Sequence, residues 1–213
     1  MIDSAWAGAP LPLPDRRSGK IRDSYALSEG RRLMITTDRL SAFDRVLGLV
    51  LHKGQVLNTL SSWWFERTRD IVPNHFLEQV GPRAMIVRSA RPFALEVIVR
   101  GYITGITDTS LWSLYNRGLR YGLPDGMRKN QRLPHPLITP TTKAEAGGHD
   151  ERIDEDQVVP QGLATAEQWE TIRTAALGPF ARGGVLAAER GLILVDTKYE
   201  FGLDLAVAVM LID

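Results

Sequence analysis

Two hydrophobic periods divide the chain. Between residues 19 and 100 short apolar runs alternate with turns, and residues 24–27, 33–37, 46–51, 84–87 and 95–99 read as strands of a mostly antiparallel sheet. Among them, residues 56–68 carry Leu57, Leu60, Trp64 and Phe65 at helical spacing, which predicts a helix packed on that sheet.

From Gly101 onward the pattern changes. Residues 111–116 read as a short helix or turn, and 123–142 as a Pro-, Gly- and Lys/Arg-containing loop with little periodicity. A structureless stretch that long inside a compact domain is more often functional than idle. Thr165 followed by Gln168 fits a capping box, opening a helix that buries Trp169, Ile172, Ala176 and Phe180. Gly178-Pro179 and Gly183-Gly184 interrupt it. An interior proline costs about 3 kcal/mol in a regular helix, so a kink or two shorter helices are expected there. Residues 191–202, bounded by glycines, read as a final strand. Successive side chains of a strand point to opposite faces, so Asp196, Lys198 and Glu200 share one face while Val195, Thr197, Tyr199 and Phe201 take the other.

Composition narrows the function classes. With 213 residues and 44% hydrophobic content the chain has ample material for a core, as one domain or two small ones. Its 26 basic and 25 acidic residues leave a net charge of +1, so no global attraction to nucleic acid or to an acidic membrane is expected. Zero cysteines exclude disulfides, thiolate metal sites and a cysteine nucleophile. The four histidines, His52, His75, His135 and His149, are scattered and form no zinc pattern. No secretory signal or membrane-spanning run is evident, and a cytoplasmic enzyme is the expectation. Residues 1–18 are Pro-rich and suggest an extended lead-in.

Four polar clusters compete for a chemical role. Gly19-Lys20-Ile21-Arg22-Asp23-Ser24-Tyr25 puts a glycine before a strand and alternates Lys20, Arg22 and Ser24 onto one face. That suits close approach to a phosphate, or an ordinary basic edge strand, and the spacing is not that of a P-loop. Asp38-Arg39-Leu40-Ser41-Ala42-Phe43-Asp44 packs two carboxylates, an arginine and a hydroxyl into seven residues, as a binding turn or a plain polar one. Residues 139–150 gather three threonines, Lys143, Gly147-Gly148 and His149-Asp150, the makings of a loop that closes over a charged ligand, or of a surface loop. The Asp196, Lys198, Glu200 face reads either as a solvated strand face or as a site where carboxylates take a hard cation and a lysine meets phosphate.

Taken jointly, these clusters resemble the SAICAR synthetase family, the phosphoribosylaminoimidazole-succinocarboxamide synthases of purine biosynthesis. The resemblance runs from Gly19 to Asp213, anchored by Gly-Lys-Ile-Arg-Asp-Ser-Tyr, Asp-Arg-Leu-Ser-Ala-Phe-Asp, Lys53-Gly54-Gln55-Val56-Leu57-Asn58, Val99-Arg100-Gly101-Tyr102, residues 139–150 and Val195-Asp196-Thr197-Lys198-Tyr199-Glu200-Phe201-Gly202. It implies a two-part α+β fold related to ATP-grasp and protein-kinase architectures. An N-terminal antiparallel, β-rich ATP-binding part is expected over residues 1–100, and a C-terminal α/β part for substrate and metal over residues 101–213.

The implied reaction joins the carboxylate of carboxyaminoimidazole ribonucleotide (CAIR) to the amine of L-aspartate through an acyl phosphate, with ATP and Mg2+ as cofactors and ADP and phosphate released. Phosphoryl transfer of this kind is mostly positioning and charge neutralisation. Carried over by position, Gly19, Lys20 and Arg22 resemble ATP-phosphate contacts, Lys198 a further nucleotide contact, and Glu200 and Asp213 the magnesium carboxylates. Lys20, Arg22, Lys198 and Glu200 would stand at the chemistry. Ser41, Asp44 and Arg100 match positions that hold the imidazole ribonucleotide, and Lys143 and Asp150 match the loop around substrate. Asp196 is expected to orient Lys198 from their shared face.

Departures accompany the match. Family members continue past the position of Asp213 with a Glu, a Pro-Asp-Ser-Ser-Arg-like segment and terminal helices, so the second part is expected to be truncated at its end. A symmetric hairpin pairing Glu200 with Asp213 turns at Ala206-Val207, where members usually carry Asp or Gly and where neither residue is a turn former. Ile106 stands where many members have a serine, with Thr107, Thr109 and Ser110 nearby. Three readings follow: the purine ligase, which leads; a paralogous amide ligase of specialised nucleoside metabolism; and a catalytically silent nucleotide-binding homologue.

Overall fold

The computed structural model describes residues 5–42, 45–107, 110–143 and 151–213. In chain order its elements are β1 (Arg17–Ser18), β2 (Arg22–Leu27), β3 (Arg31–Thr36), β4 (Arg39–Ala42), β5 (Arg45–Leu49), α1 (Lys53–Arg67), β6 (Phe76–Gly81), β7 (Ala84–Arg88), β8 (Arg91–Ile103), α2 (Leu111–Asn116), β9 (Gln131–Thr142), α3 (Ala166–Ala188), β10 (Asp196–Leu203) and β11 (Val209–Leu211). They form two compact units, Met1–Pro92 with Gly202–Asp213, and Phe93–Phe201.

In the first unit an antiparallel sheet of order β1-β2-β3-β7-β6 is patterned by alternation. Asp23 and Tyr25 on β2 and Met85 and Val87 on β7 are buried, while Arg22, Ser24, Ile86 and Arg88 are more exposed. Helix α1 packs on β3 and β6. Of the expected stripe Phe65 faces inward, joined by Gly54, Asn58 and Ser62, whereas Leu60 is 49% exposed. The cause lies at the first turn, where a Cβ on Gly54 would stand 2.4 Å from the Thr36 carbonyl oxygen. Contact that close admits only glycine and fixes the helix rotation, which brings Asn58 to the β6–β7 turn, its amide 3.4 and 3.5 Å from the carbonyls of Gly81 and Ala84.

Residues 46–51, expected within the main sheet, fall elsewhere. β5 pairs with β4 in a separate two-stranded sheet, with a register shift between Leu40 and Ser41, and β5 is exposed along its whole length. The chain end returns to this unit: Leu211 donates to the Pro73 carbonyl at 2.9 Å, and the His75 amide donates to the Leu211 carbonyl at 3.0 Å. The turn between β10 and β11 is organised by Asp204, whose Oδ1 accepts from the amides of Ala206 and Ala208 at 2.8 and 2.9 Å. Val207 closes that turn at φ 65°, a left-handed conformation costly for a β-branched residue.

The second unit is built on β8, paired antiparallel with β9 and flanked on its other side by β10. Leu95, Val97 and Val99 alternate into the core, and Glu96, Ile98 and Arg100 take the opposite face. A further cluster joins Ile103 to Leu111, Tyr115, Met127 and Leu133. β9 corrects the expectation of a loop over 123–142. Its prolines at 134, 136 and 140 hide the strand signal, but Pro134 and Pro136 fall in the register shift between the Leu137 and Arg132 pairs, and Pro140 lies on a sheet edge, where its missing N–H costs no ladder bond on the open side.

Helix α3 opens with the expected capping box of Thr165 and Gln168 and buries Trp169, Ile172, Ala176 and Phe180. It then runs as one 23-residue helix through Pro179, not as two shorter ones. Pro179 and Gly183 lie on the same buried stripe, and packing of that stripe offsets the lost hydrogen bond. The last strand is also shorter than expected: β10 starts at Asp196, and Leu192 and Ile193 before it are 64% and 67% exposed.

Candidate active site

In the first unit the loop from Ser18 to Arg22 is tied down through its backbone. The Gly19 amide donates to the Arg22 carbonyl at 2.8 Å. Arg39 donates from Nε to the Lys20 carbonyl at 3.1 Å and from Nη2 to the Gly19 carbonyl at 3.0 Å, while Thr37 Oγ1 donates to the Ile21 carbonyl at 2.7 Å. Behind the loop, the fully buried Asp23 accepts from Ser18 Oγ at 2.7 Å, from Arg39 at 2.8 Å and from Arg16 at 3.2 Å. Burial alone would raise the Asp23 pKa, but these three donors outweigh it and hold the carboxyl below its ordinary range.

The side chains the loop presents are cationic. Lys20 is exposed, and Arg22 at the head of β2 forms an ion pair with Asp213 at 2.8 Å. Beside them, Asp38 is fully buried and accepts from the amides of Trp6 at 2.7 Å and Gly54 at 2.8 Å, with the Arg83 guanidinium 3.3 Å away. Burial pushes its pKa up and those donors pull it further down, to a net lowering. Asp38 therefore anchors α1 and the lead-in. Ser41 sits half-buried at the irregular point of β4, and Asp44 lies outside the described residues.

In the second unit three ion pairs cross one face of the sheet. Arg100 pairs with Asp196 at 3.3 Å and donates to Thr139 Oγ1 at 2.9 Å. Lys198 pairs with Glu96 at 2.5 Å, and Thr141 Oγ1 donates to the same carboxylate at 3.2 Å. Lys143, one residue past β9, pairs with Glu200. Asp150 lies outside the described residues.

This pairing overturns the expectation that Asp196 orients Lys198. Side chains two apart on a strand stand about 7 Å apart, whereas a neighbouring strand lies only about 5 Å away, so Asp196 and Lys198 each find a partner across the ladder, on β8. Glu96 was missed in the sequence reading, although its signal was present. A carboxylate between the buried Leu95 and Val97, only 6% exposed itself, is uncommon without a specific partner.

Among the described residues, no group of three or more His, Asp or Glu side chains is placed to hold a metal ion. Glu200 in the second unit and Asp213 in the first each offer the carboxylate oxygens that Mg2+ takes. The donor type therefore fits, with Lys143 and Arg22 holding those carboxylates in the free chain.

The SAICAR synthetase family profile matches residues 15–213. The chain belongs to the SAICAR synthetase family. It is 46% identical over 207 residues to the phosphoribosylaminoimidazole-succinocarboxamide synthase of Legionella pneumophila, covering 95% of this chain and 65% of that one. To the chloroplastic enzyme of that name from Vigna aconitifolia it is 46% identical over 205 residues, covering 94% and 59%. The chain thus spans less than two thirds of the length of these curated relatives. Among solved structures, the Saccharomyces cerevisiae SAICAR synthase complexed with SAICAR aligns at a TM-score of 0.83 and 29% identity, over 98% of this chain and 76% of that one. A type-2 SAICAR synthetase in complex with ADP aligns at 0.77 and 25%, over 93% and 79%.

Several residues in the SAICAR synthetase motifs serve the fold. Gly54 seats α1 on β3, and Asn58 closes the β6–β7 turn. Gly101 donates to the Val195 carbonyl at 2.8 Å, and a Cβ there would meet Phe180 of α3 at 3.1 Å. Gly19 has no such constraint, since a Cβ would meet only the Arg22 carbonyl oxygen, at 3.4 Å.

Proposed function

We propose that this chain carries the ATP-dependent ligase chemistry of its family, joining CAIR and L-aspartate to give SAICAR, ADP and phosphate, as a cytoplasmic enzyme of purine biosynthesis. The observation that carries this reading is the ladder of three ion pairs on the second unit's sheet, where Glu96, Arg100, Lys143, Asp196, Lys198 and Glu200 converge within a chain matched by the family over residues 15–213. An isolated solvated strand face would not draw a nearly buried carboxylate into such a set. The relatives complexed with SAICAR and with ADP support a nucleotide and an imidazole ribonucleotide as ligands.

The chemistry assigned to the residues follows from charge. A carboxylate is a poor acyl donor, so a CAIR carboxylate oxygen attacks the γ-phosphorus of ATP, ADP departs, and an acyl phosphate forms. The aspartate amine then attacks the acyl carbon, phosphate leaves and a proton is lost from nitrogen. Lys20, Arg22 and Lys198 neutralise phosphate oxygens as charge shifts to the leaving group. Arg100 and Ser41 hold the ribonucleotide, Lys143 meets substrate after leaving Glu200, and Asp44 and Asp150 complete the set. Glu200 and Asp213 are the carboxylates that would hold Mg2+, whose charge neutralises the reacting phosphate.

The test is ADP release by the purified chain. Release that requires both CAIR and L-aspartate is expected. Release without CAIR, or ATP binding with no turnover under any pairing, rejects the ligase reading.

A further inference from the structure

Arg39 bonds to the backbone carbonyls of the loop that carries Lys20 and Arg22 and to the buried Asp23 behind it. We propose that Arg39 is the positioning residue of the anion-binding loop: it holds the carbonyl oxygens of Gly19 and Lys20 on its guanidinium, so that the phosphate bound by Lys20 and Arg22 meets no opposing peptide dipole. The inference rests on the reading of Lys20 and Arg22 as phosphate ligands.

The geometry is that of one planar fork meeting several acceptors. Arg39 donates from Nη1 to the Ala7 carbonyl at 2.7 Å, from Nη2 to the Gly19 carbonyl at 3.0 Å and to Asp23 Oδ1 at 2.8 Å, and from Nε to the Lys20 carbonyl at 3.1 Å. Thr37 takes the next carbonyl, that of Ile21, through both its amide at 2.8 Å and its hydroxyl at 2.7 Å. Three successive carbonyls, those of Gly19, Lys20 and Ile21, are therefore engaged by Arg39 and Thr37. A carbonyl oxygen carries the negative end of the peptide dipole, so each one directed at a phosphate would oppose the adjacent cations.

The fork is itself held. Its side chain is 13% exposed, its charge is matched by the buried Asp23, and Lys53 Nζ donates to its carbonyl at 3.0 Å. The lead-in packs so closely on it that a Cβ on Gly8, at φ 106°, would come within 3.0 Å of Arg39 Nη1 and 2.9 Å of Asp23 Oδ2. A lysine at position 39 keeps the charge but cannot reach four acceptors at once.

The experiment compares ATP with adenosine, titrated by calorimetry at fixed magnesium into the chain, its Arg39→Lys and Arg39→Gln variants, and Lys20→Ala. The expected result is a loss of roughly tenfold in ATP affinity for the Arg39 variants with adenosine affinity unchanged, because only the phosphates sense the carbonyls. Equal weakening of both ligands marks Arg39 as a general structural group and overturns the proposal. If Lys20→Ala weakens ATP while Arg39→Lys does not, this inference falls and the phosphate reading stands. If Lys20→Ala leaves ATP binding intact, both fall. Hydrogen exchange on the unaltered chain needs no variant: the Gly19 and Thr37 amides should exchange slowly before nucleotide is added. Exchange at unfolded-chain rates until ATP arrives would overturn the proposal.

Discussion

The two clusters of charge are held in opposite ways. In the first unit the cations at Lys20 and Arg22 stand on a loop fixed from behind by buried groups, with Asp23, Asp38 and Arg39 bonded to backbone and to each other. In the second unit each cation assigned to ligand rests on a carboxylate, Arg100 on Asp196, Lys198 on Glu96 and Lys143 on Glu200, as Arg22 does in the first with Asp213. Lys198 and Lys143 are 51% and 41% exposed, whereas Asp23 and Asp38 are at most 1% exposed. One arrangement is permanent scaffolding, and on the proposed ligase reading the other is a set of partners exchanged for phosphate, carboxylate or metal. Buried, hydrogen-bonded charge is costly to break, while a pair with one half-exposed member, as each of these three has, contributes less to stability and trades more easily.

That contrast is open to measurement. Asp38→Ala strips the acceptor from the Trp6 and Gly54 amides and leaves Arg83 unmatched, so urea denaturation should show a loss of about 3 kcal/mol. A loss below about 1 kcal/mol would mean that Asp38 is no anchor.

Acid should act on the same unit. His75 is buried and its pKa is pushed down from 6.5 to about 4. The folded value lies below the unfolded one, so the unfolded chain takes up the proton first. The contribution is full above pH 6.5 and is lost as pH falls toward about 4. Stability should decline over that window with a slope approaching about 1.4 kcal/mol per pH unit from this group. His75→Gln, which cannot titrate, should flatten the profile, and an unchanged profile would count against burial of a neutral His75.

Two smaller effects sharpen the comparison. Val207→Gly relieves the left-handed backbone at φ 65° in the turn and should raise stability by about 1 kcal/mol, read as a higher urea midpoint. Glu96→Gln keeps shape and removes one charge from the exchangeable ladder. Lys198 is half-exposed and can turn to water, so the change should cost about 1 kcal/mol of stability, and with no carboxylate to leave, Lys198 should meet phosphate more readily and ATP binding should tighten. A large stability loss with unaltered ATP affinity would move Glu96 to the scaffold.

Much of the framework was legible because local signals agreed. The strands at β2, β3 and β7, the short α2 and the Thr165–Gln168 capping box of α3 each carry their own periodicity or cap. What escaped depended on tertiary fit. The buried face of α1 follows from Gly54 meeting Thr36, and β9 tolerates its prolines because it is an edge. The family motifs drew attention to Lys198 and Arg100 but not to their partner Glu96, nor to Arg39 as the holder of the Gly19–Lys20 carbonyls, since both roles arise from pairing across strands distant in sequence.

The most direct test of the assignment is ATP titration with and without magnesium in the unaltered chain and in Glu200→Gln. The account predicts that magnesium tightens ATP binding in the unaltered chain and that this enhancement is largely lost in the variant, with the urea midpoint little changed. Equal magnesium enhancement in both proteins, or no ATP binding at all, would contradict it.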